Sequence, residues 1–184
     1  LLVLGGAFSK SALVPFHFWL PGAMAAPTPV SAYLHAAAMV KAGVYLVARL
    51  TPGLTHVQVW SPVVVAVGLA TMVLGGWRAL RQNDLKLVLA YGTVSQLGLI
   101  TATVGQGSAA AMAAGLTMLV AHSFFKSTLF LTVGAVESAT GTRDLRRLSG
   151  LARRRPLLAA AAGLAALSMA GVPLSTGYLG KEAL

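Results

Sequence analysis

The 184-residue chain contains no cysteine, which excludes disulfide staples, thiolate metal sites and cysteine-held iron–sulfur clusters. Charge is scarce: Asp, Glu, Lys and Arg make up 10% of the residues, against about 25% in an average soluble domain. Acid is scarcer still, and Asp84, Glu137, Asp144 and Glu182 are the four carboxylates of the chain. A cation path built from carboxylates alone has little to draw on. The sequence also lacks a phosphate-cradling glycine loop, a dinucleotide fingerprint, an HExxH helix and a nucleophile elbow. No haem or flavin ligation pattern is visible. Neither catalytic residues nor a metal or cofactor is expected. The opening LLVLGGAF is apolar but has no Met and no basic n-region, so it does not read as a signal peptide.

What fills the chain is apolar. Hydrophobic residues make up 57%, and mean hydropathy is +0.77. A bilayer span needs about twenty predominantly apolar residues. Segments 1–20, 28–50, 62–80, 85–104, 108–137 and 157–184 supply six such runs, some of them partial. The expected class is an all-α polytopic membrane protein, with two of its helices discontinuous. The chain starts inside one apolar run and stops at KEAL as another continues, so a piece of a longer polytopic protein is expected.

The connections set an orientation. Six of the fourteen basic residues lie in 143–155, and RALRQNDLK (78–86) is basic too, whereas 51–62 and 105–108 carry no Lys or Arg. Basic loops stay on the cytoplasmic side. Loops 78–86 and 137–156 are therefore expected in the cytoplasm, with 20–29 on the same side. Trp60 and Trp77 fall near span ends, where aromatic belts form. The net charge of +10 follows from this loop pattern and does not indicate nucleic acid. The Arg-rich 137–156 loop reads as a solvated, orientation-setting loop. The alternative is a loop that binds acidic lipid heads or an acidic partner subunit.

Against this background the charges inside spans stand out. His35, Lys41, His122 and Lys126 sit deep in apolar sequence, and Lys10 and Lys181 lie in the two broken spans. An ionisable group in a span is costly and must face partners or water. Snorkelling to the interface is the alternative for a lysine near a span end, and it competes for Lys86 and for Arg49. Histidine and desolvated lysine both exchange protons near neutral pH. His122 and Lys126 are four residues apart, so they share one helical face about 6 Å apart along the axis. A water between them would complete a proton step. Pro15 follows Lys10, and Gly171, Pro173 and Gly177 precede Lys181. Spans interrupted near a charge mark transporter sites, where unwound backbone lines a wet cavity. Glu137 lies nearly on the Lys126 face but about 16 Å away, which suits the exit of a path. Glu182, beside Lys181, is a modulator of that lysine's proton affinity.

The stretch KSALVPFHFWLPGAMAAPTPVSAYLHAAAMVKAGVYLVARL (10–50) resembles the core signature of the proton-conducting subunits shared by respiratory complex I and Mrp antiporters. DLKLVLAYGTVSQLG (84–98), AHSFFKSTLFL (121–131) and SMAGVPLSTGYLGKE (168–182) continue the resemblance in order. MVKAGVYLVARL together with ATGTRDLRRLSGL is most similar to the A-type subunits of Mrp Na⁺/H⁺ antiporters. The resemblance implies a fourteen-helix core of two inverted repeats, each with one discontinuous helix. This chain, 1–184, would be a single partial membrane domain running from the seventh helix into the twelfth.

Lys10 matches the central lysine of the broken seventh helix. His35 matches the base of the eighth, a role some relatives give to the Lys41 position. Lys86 matches a lysine that opens the tenth, His122 and Lys126 match the pair of the eleventh, and Lys181 matches the lysine of the broken twelfth. A second histidine of some relatives is Met118 here. The family's essential fifth-helix glutamate would lie upstream of residue 1. By this resemblance the chain is expected to carry protons along a Lys/His/water relay in a hetero-oligomeric Na⁺ (or K⁺)/H⁺ antiporter of the bacterial plasma membrane. The alternatives are a pumping subunit of an NADH–quinone oxidoreductase or membrane-bound hydrogenase, and a structural bundle or carrier of another solute.

Overall fold

The computed structural model describes residues 2–37 and 39–182. Leu1, Ala38, Ala183 and Leu184, all within expected spans, lie outside the described residues. Helices account for most of the rest. α1 spans Leu2–Lys10, α2 Trp19–Gly22, α3 Thr28–Ala32, α4 Met39–Leu54, α5 Trp60–Ala79, α6 Leu85–Gly105 and α7 Ala109–Thr140. α8 spans Leu151–Arg154, α9 Pro156–Ala170 and α10 Thr176–Glu182. No strand runs among the described residues. Four helical stretches, 28–54, 60–79, 85–105 and 109–140, are long and apolar enough to cross a membrane. The chain is a multi-pass, all-α membrane protein.

Both expected breaks are present. α1 stops at Lys10, and the chain then runs irregularly past Pro15 to α2. There the Ser11 hydroxyl donates to the Val40 carbonyl (2.7 Å), and the Val14 amide donates to Thr71 Oγ1 (3.0 Å). α9 ends at Gly171, whose φ of 80° gives the left-handed turn that glycine accepts without strain. Past Pro173 the chain restarts as α10. Ser168 Oγ accepts from the Gly177 amide (3.1 Å), and Gly177 lies directly against the Ser168 carbonyl, leaving no room for a Cβ.

The helix ends have local causes. Asp84 caps α6 by accepting from the Lys86 and Leu87 amides, and Ser108 caps α7 by accepting from Ala111. Gly141, at φ 69°, closes α7. The fifth span therefore runs one turn past the expected 137. The 137–156 segment is not a fully solvated loop either. It doubles back so that the Leu85 amide donates to Arg143 O (3.1 Å) and the Leu145 amide to Asn83 O (2.9 Å). The Leu85 amide, left over by the Asp84 cap, and the turn at Gly141 favour this docking.

α6 is the central helix, with most of its length buried, whereas α5 is largely exposed. α5 lies along it at glycine contacts. A Cβ on Gly98 would stand 2.6 Å from Gly68 O, and one on Gly68 would stand 2.7 Å from Gly98 O. Without a hydrophobic force between helices in lipid, such small residues allow the close backbone packing that holds them together. α7 also packs on α6 and touches α3, α9 and α10.

Candidate functional site

The basic groups expected inside spans converge on α7. Relative exposure is 0% for His35 and His122, 1% for Lys126, 3% for Lys86 and 6% for Lys41. These positions share a core with Met118, Phe125, Phe130, Leu97 and Ile100. Lys126 Nζ donates to the Leu89 carbonyl of α6 (3.1 Å), an oxygen that also accepts the Thr93 hydroxyl (2.8 Å). The ammonium fits because residue 92 is glycine: a Cβ there would sit 3.0 Å from Nζ.

One turn earlier on α7, His122 meets Phe125 edge-on, with ring centroids 5.4 Å apart. Across from it His35 sits in a π-helical turn, Tyr33–Ala37, its ring 4.8 Å from Phe130. Neither nitrogen of either imidazole has a hydrogen-bond partner among the described residues. A buried polar atom without a partner is rare, and a site for water or a moving proton is one of its ordinary explanations. Lys41 on α4 reaches α7 and donates to Ser123 Oγ. His122 lies close enough to interact electrostatically with Lys126, Lys41 and His35. The fold thus gathers four basic groups from α3–α4 and α7 into one apolar interior.

Lys86 continues the line towards the start of α6. Its side chain is buried against protein groups. Its Nζ donates to the Ala26 carbonyl (3.1 Å) and stands 3.5 Å from Glu137 Oε2. Glu137, on the last turns of α7, also accepts the Thr28 hydroxyl (3.0 Å) and faces Arg143 NH1 at 3.6 Å. Arg143 Nε in turn pairs with Asp84 Oδ2 (3.2 Å). Nearby, the partly exposed Asp144 carboxyl is held below the usual carboxylate range by its hydrogen bonds from Arg146.

The other expected residues stand apart from this interior. Lys10 is exposed at the end of α1. Lys181 Nζ donates to Ala170 O (2.9 Å), its stem lying over Gly171. Glu182, the last residue of α10, is exposed. Pro15 and Pro173 are exposed at the two breaks, and Gly177 is buried. Sequence reasoning missed Gly92, Ser123, Thr28 and Arg143. Only Ser123 carried a signal, since it adjoins His122 within an apolar stretch of α7.

Comparison with known proteins places these residues in a wider group. The family model described as NADH:quinone oxidoreductase/Mrp antiporter, transmembrane, matches residues 1–184. The chain is 52% identical over 181 residues to the A/B-type subunit of a probable K⁺/H⁺ antiporter of Rhizobium meliloti, covering 98% of this chain and 18% of that protein. It is 48% identical over 196 residues to the A-type subunit of the Na⁺/H⁺ antiporter of Alkalihalophilus pseudofirmus, covering 99% and 24%. Its fold is similar to a chain in the Mrp complex from Dietzia sp. DQ12-45-1b, with TM-score 0.95 and 51% identity over 99% of this chain and 20% of that one. It is also similar to a chain of the membrane-bound sulfane sulfur reductase, an archaeal respiratory membrane complex, with TM-score 0.92 and 29% identity over 99% and 38%. The chain thus spans 18–24% of the length of those two antiporter proteins.

Proposed function

The chain belongs to the NADH:quinone oxidoreductase/Mrp antiporter transmembrane family, and we propose that it forms the proton-carrying part of a monovalent cation/H⁺ antiporter subunit. The observation that carries this reading is the buried group of bases: His35, Lys41, His122 and Lys126 inside the helix packing, with neither imidazole hydrogen-bonded to any of the described residues. Burying several basic groups in an apolar core opposes stability. A relay in which protons step between them gives that cost a use. In the proposed path protons pass among Lys41, His122, His35 and Lys126, then to Lys86 and to Glu137 at the mouth. Lys10 and Lys181, at the broken helices, face the remainder of a longer protein and link this segment to it. Residues 1–184 then form part of one membrane domain, corresponding to helices seven to twelve of the family core.

The surroundings follow from the same reading. The protein sits in a bacterial plasma membrane with loops 78–86 and 137–156 in the cytoplasm, and other antiporter subunits complete the complex. The exchanged ion is Na⁺ or K⁺, in keeping with the names of the relatives. The similarity to a respiratory membrane complex supports a second reading, a pumping subunit coupled to redox chemistry. The test uses the full operon in an antiporter-deficient strain. In everted vesicles, NaCl or KCl should collapse the pH gradient, and Lys126→Ala should abolish the response while the complex still assembles. Wild-type antiport in Lys126→Ala would sink the relay. NADH-driven pumping without a cation response would establish the redox reading instead.

A further inference from the structure

Glu137 stands at a boundary. It lines a polar cleft of about 410 Å³ with Asn83, Asp84, Arg143 and Asp144, and a second cleft of about 360 Å³ with Thr28, Pro29 and Gly134. Behind it is Lys86, with only 3% of its side chain exposed, whereas Glu137 is 37% exposed. The two carboxylate oxygens have separate partners. Oε2 takes the Thr28 hydroxyl and faces Lys86, while Oε1 faces the Arg143 guanidinium.

Arg143 spans two acids. One nitrogen pairs with Asp84 at the start of α6 and another faces Glu137 near the end of α7. Its backbone is pinned as well, because its carbonyl accepts the Leu85 amide and the next turn is tied to Asn83. Asp84 is itself held, since its Oδ1 caps the Lys86 and Leu87 amides at 2.7 Å and 3.2 Å. The guanidinium is thus a planar fork anchored on Asp84 and reaching Glu137. A simple loop anchor would need only one of these acids. Two acids bridged by one planar cation is a task for arginine rather than lysine, whose single ammonium is a point charge.

We infer that Arg143 is a positioning residue: it holds the Glu137 carboxylate turned towards Lys86, so that protons pass between the buried lysine and the polar cleft. This rests on the transport function proposed above. The charged groups around Glu137 are Lys86 from α6 and Arg143 from the doubled-back segment, with Asp84 beyond the guanidinium, Asp144 and Arg146 further along the same cleft, and Thr28 contributing a neutral hydroxyl from α3. With Arg143 gone, Glu137 keeps Thr28 and Lys86 but loses the partner on Oε1. The carboxylate can then swing into the 410 Å³ cleft.

The test compares Arg143→Ala, Arg143→Lys, Glu137→Gln and the double variant Arg143→Ala/Glu137→Gln in the full antiporter complex. Antiport rates are read in everted vesicles and normalised to the amount of assembled complex. Glu137→Gln and Arg143→Ala should each slow antiport, Arg143→Ala by up to about fivefold, the most that a partly exposed ion pair is worth. The double variant should be no slower than Glu137→Gln alone, because Arg143 acts through Glu137. Arg143→Lys keeps the positive charge and should remain slow. A wild-type rate in Arg143→Lys overturns the inference, and that variant decides the matter if Arg143→Ala fails to assemble. Losses that multiply in the double variant, or a wild-type rate in Glu137→Gln, also overturn it. If the wild-type complex shows no Na⁺ or K⁺ response but pumps protons on NADH, the antiport reading fails, and the same comparisons are made on the pumping rate.

Discussion

Gly92→Ala tests whether the placing of Lys126 matters more than its presence. The added Cβ would stand 3.0 Å from Nζ, whereas uncrowded contacts between such atoms fall at about 3.5–4.0 Å. The ammonium must therefore retreat by about 0.5 Å. It is held at 3.1 Å by the Leu89 carbonyl, so a retreat along that line takes the pair out to the limit of a hydrogen bond. Losing a hydrogen bond to a charged group costs about 1.5–3 kcal/mol. Replacing a mid-helix glycine by alanine returns about 0.5–1 kcal/mol. The net expectation is a destabilisation of about 1–2 kcal/mol and an antiport rate lower by about tenfold. Gly163→Ala on α9 is the control, since a Cβ there meets nothing within 4 Å. It should gain about 0.5–1 kcal/mol and transport normally. Thermal unfolding of the purified complex, followed by tryptophan fluorescence, reads the first quantity, and the vesicle assay reads the second. If Gly92→Ala matches Gly163→Ala in both, Lys126 has slack that the packing denies, and the reasoning is refuted.

Two further substitutions probe the frame around the site. Gly98→Ala would place a Cβ 2.5 Å from the Met72 amide nitrogen and 2.6 Å from Gly68 O. Both are backbone atoms, so α5 must move off α6, at a cost of about 1–3 kcal/mol, visible as a lower unfolding temperature of the purified complex. Asp84→Asn keeps a good helix cap and should lose only the half-exposed Arg143 pair, worth about 0–1 kcal/mol. Asp84→Ala also removes the cap, at about 0.5–2 kcal/mol more, and hydrogen exchange at the Lys86 and Leu87 amides should rise in Asp84→Ala but not in Asp84→Asn.

The sequence shows the helices more readily than the contacts among their polar side chains. Long apolar runs are legible because a span must satisfy its backbone internally and present apolar side chains over its whole length. The breaks near Lys10 and Lys181 are legible because Pro15, Gly171 and Pro173 are local instructions. The common face of His122 and Lys126 follows from helical period alone. None of this says which helix each group meets. Lys86 read equally as a snorkelling lysine, and it takes the packing of α7 on α6 to bring Glu137, and the fold-back of 141–147 to bring Arg143, to that end of α6. The role of Gly92 is invisible for a similar reason, since its missing side chain matters only to an ammonium on another helix.

The partners of the two deepest lysines suggest where the proposed relay is most sensitive. Lys126 is held by a carbonyl, so a proton leaving it breaks a hydrogen bond to a dipole. Lys86 is held by the Ala26 carbonyl and by Glu137, so the same step there changes an ion pair. Charge pairs in a low-dielectric setting act more strongly than dipoles and fall off more slowly with distance. A shift of the Glu137 carboxylate therefore alters the energy of a proton on Lys86 more than a comparable shift of Leu89 alters one on Lys126. Interior steps then depend on packing, as at Gly92, and the step at the mouth depends on charge placement, as at Arg143. The two classes of variant separate on ionic strength. Glu137 and Arg143 are about one-third exposed, so salt should weaken the effect of Arg143→Ala, while the effect of Gly92→Ala, deep in the helix packing, should stay the same.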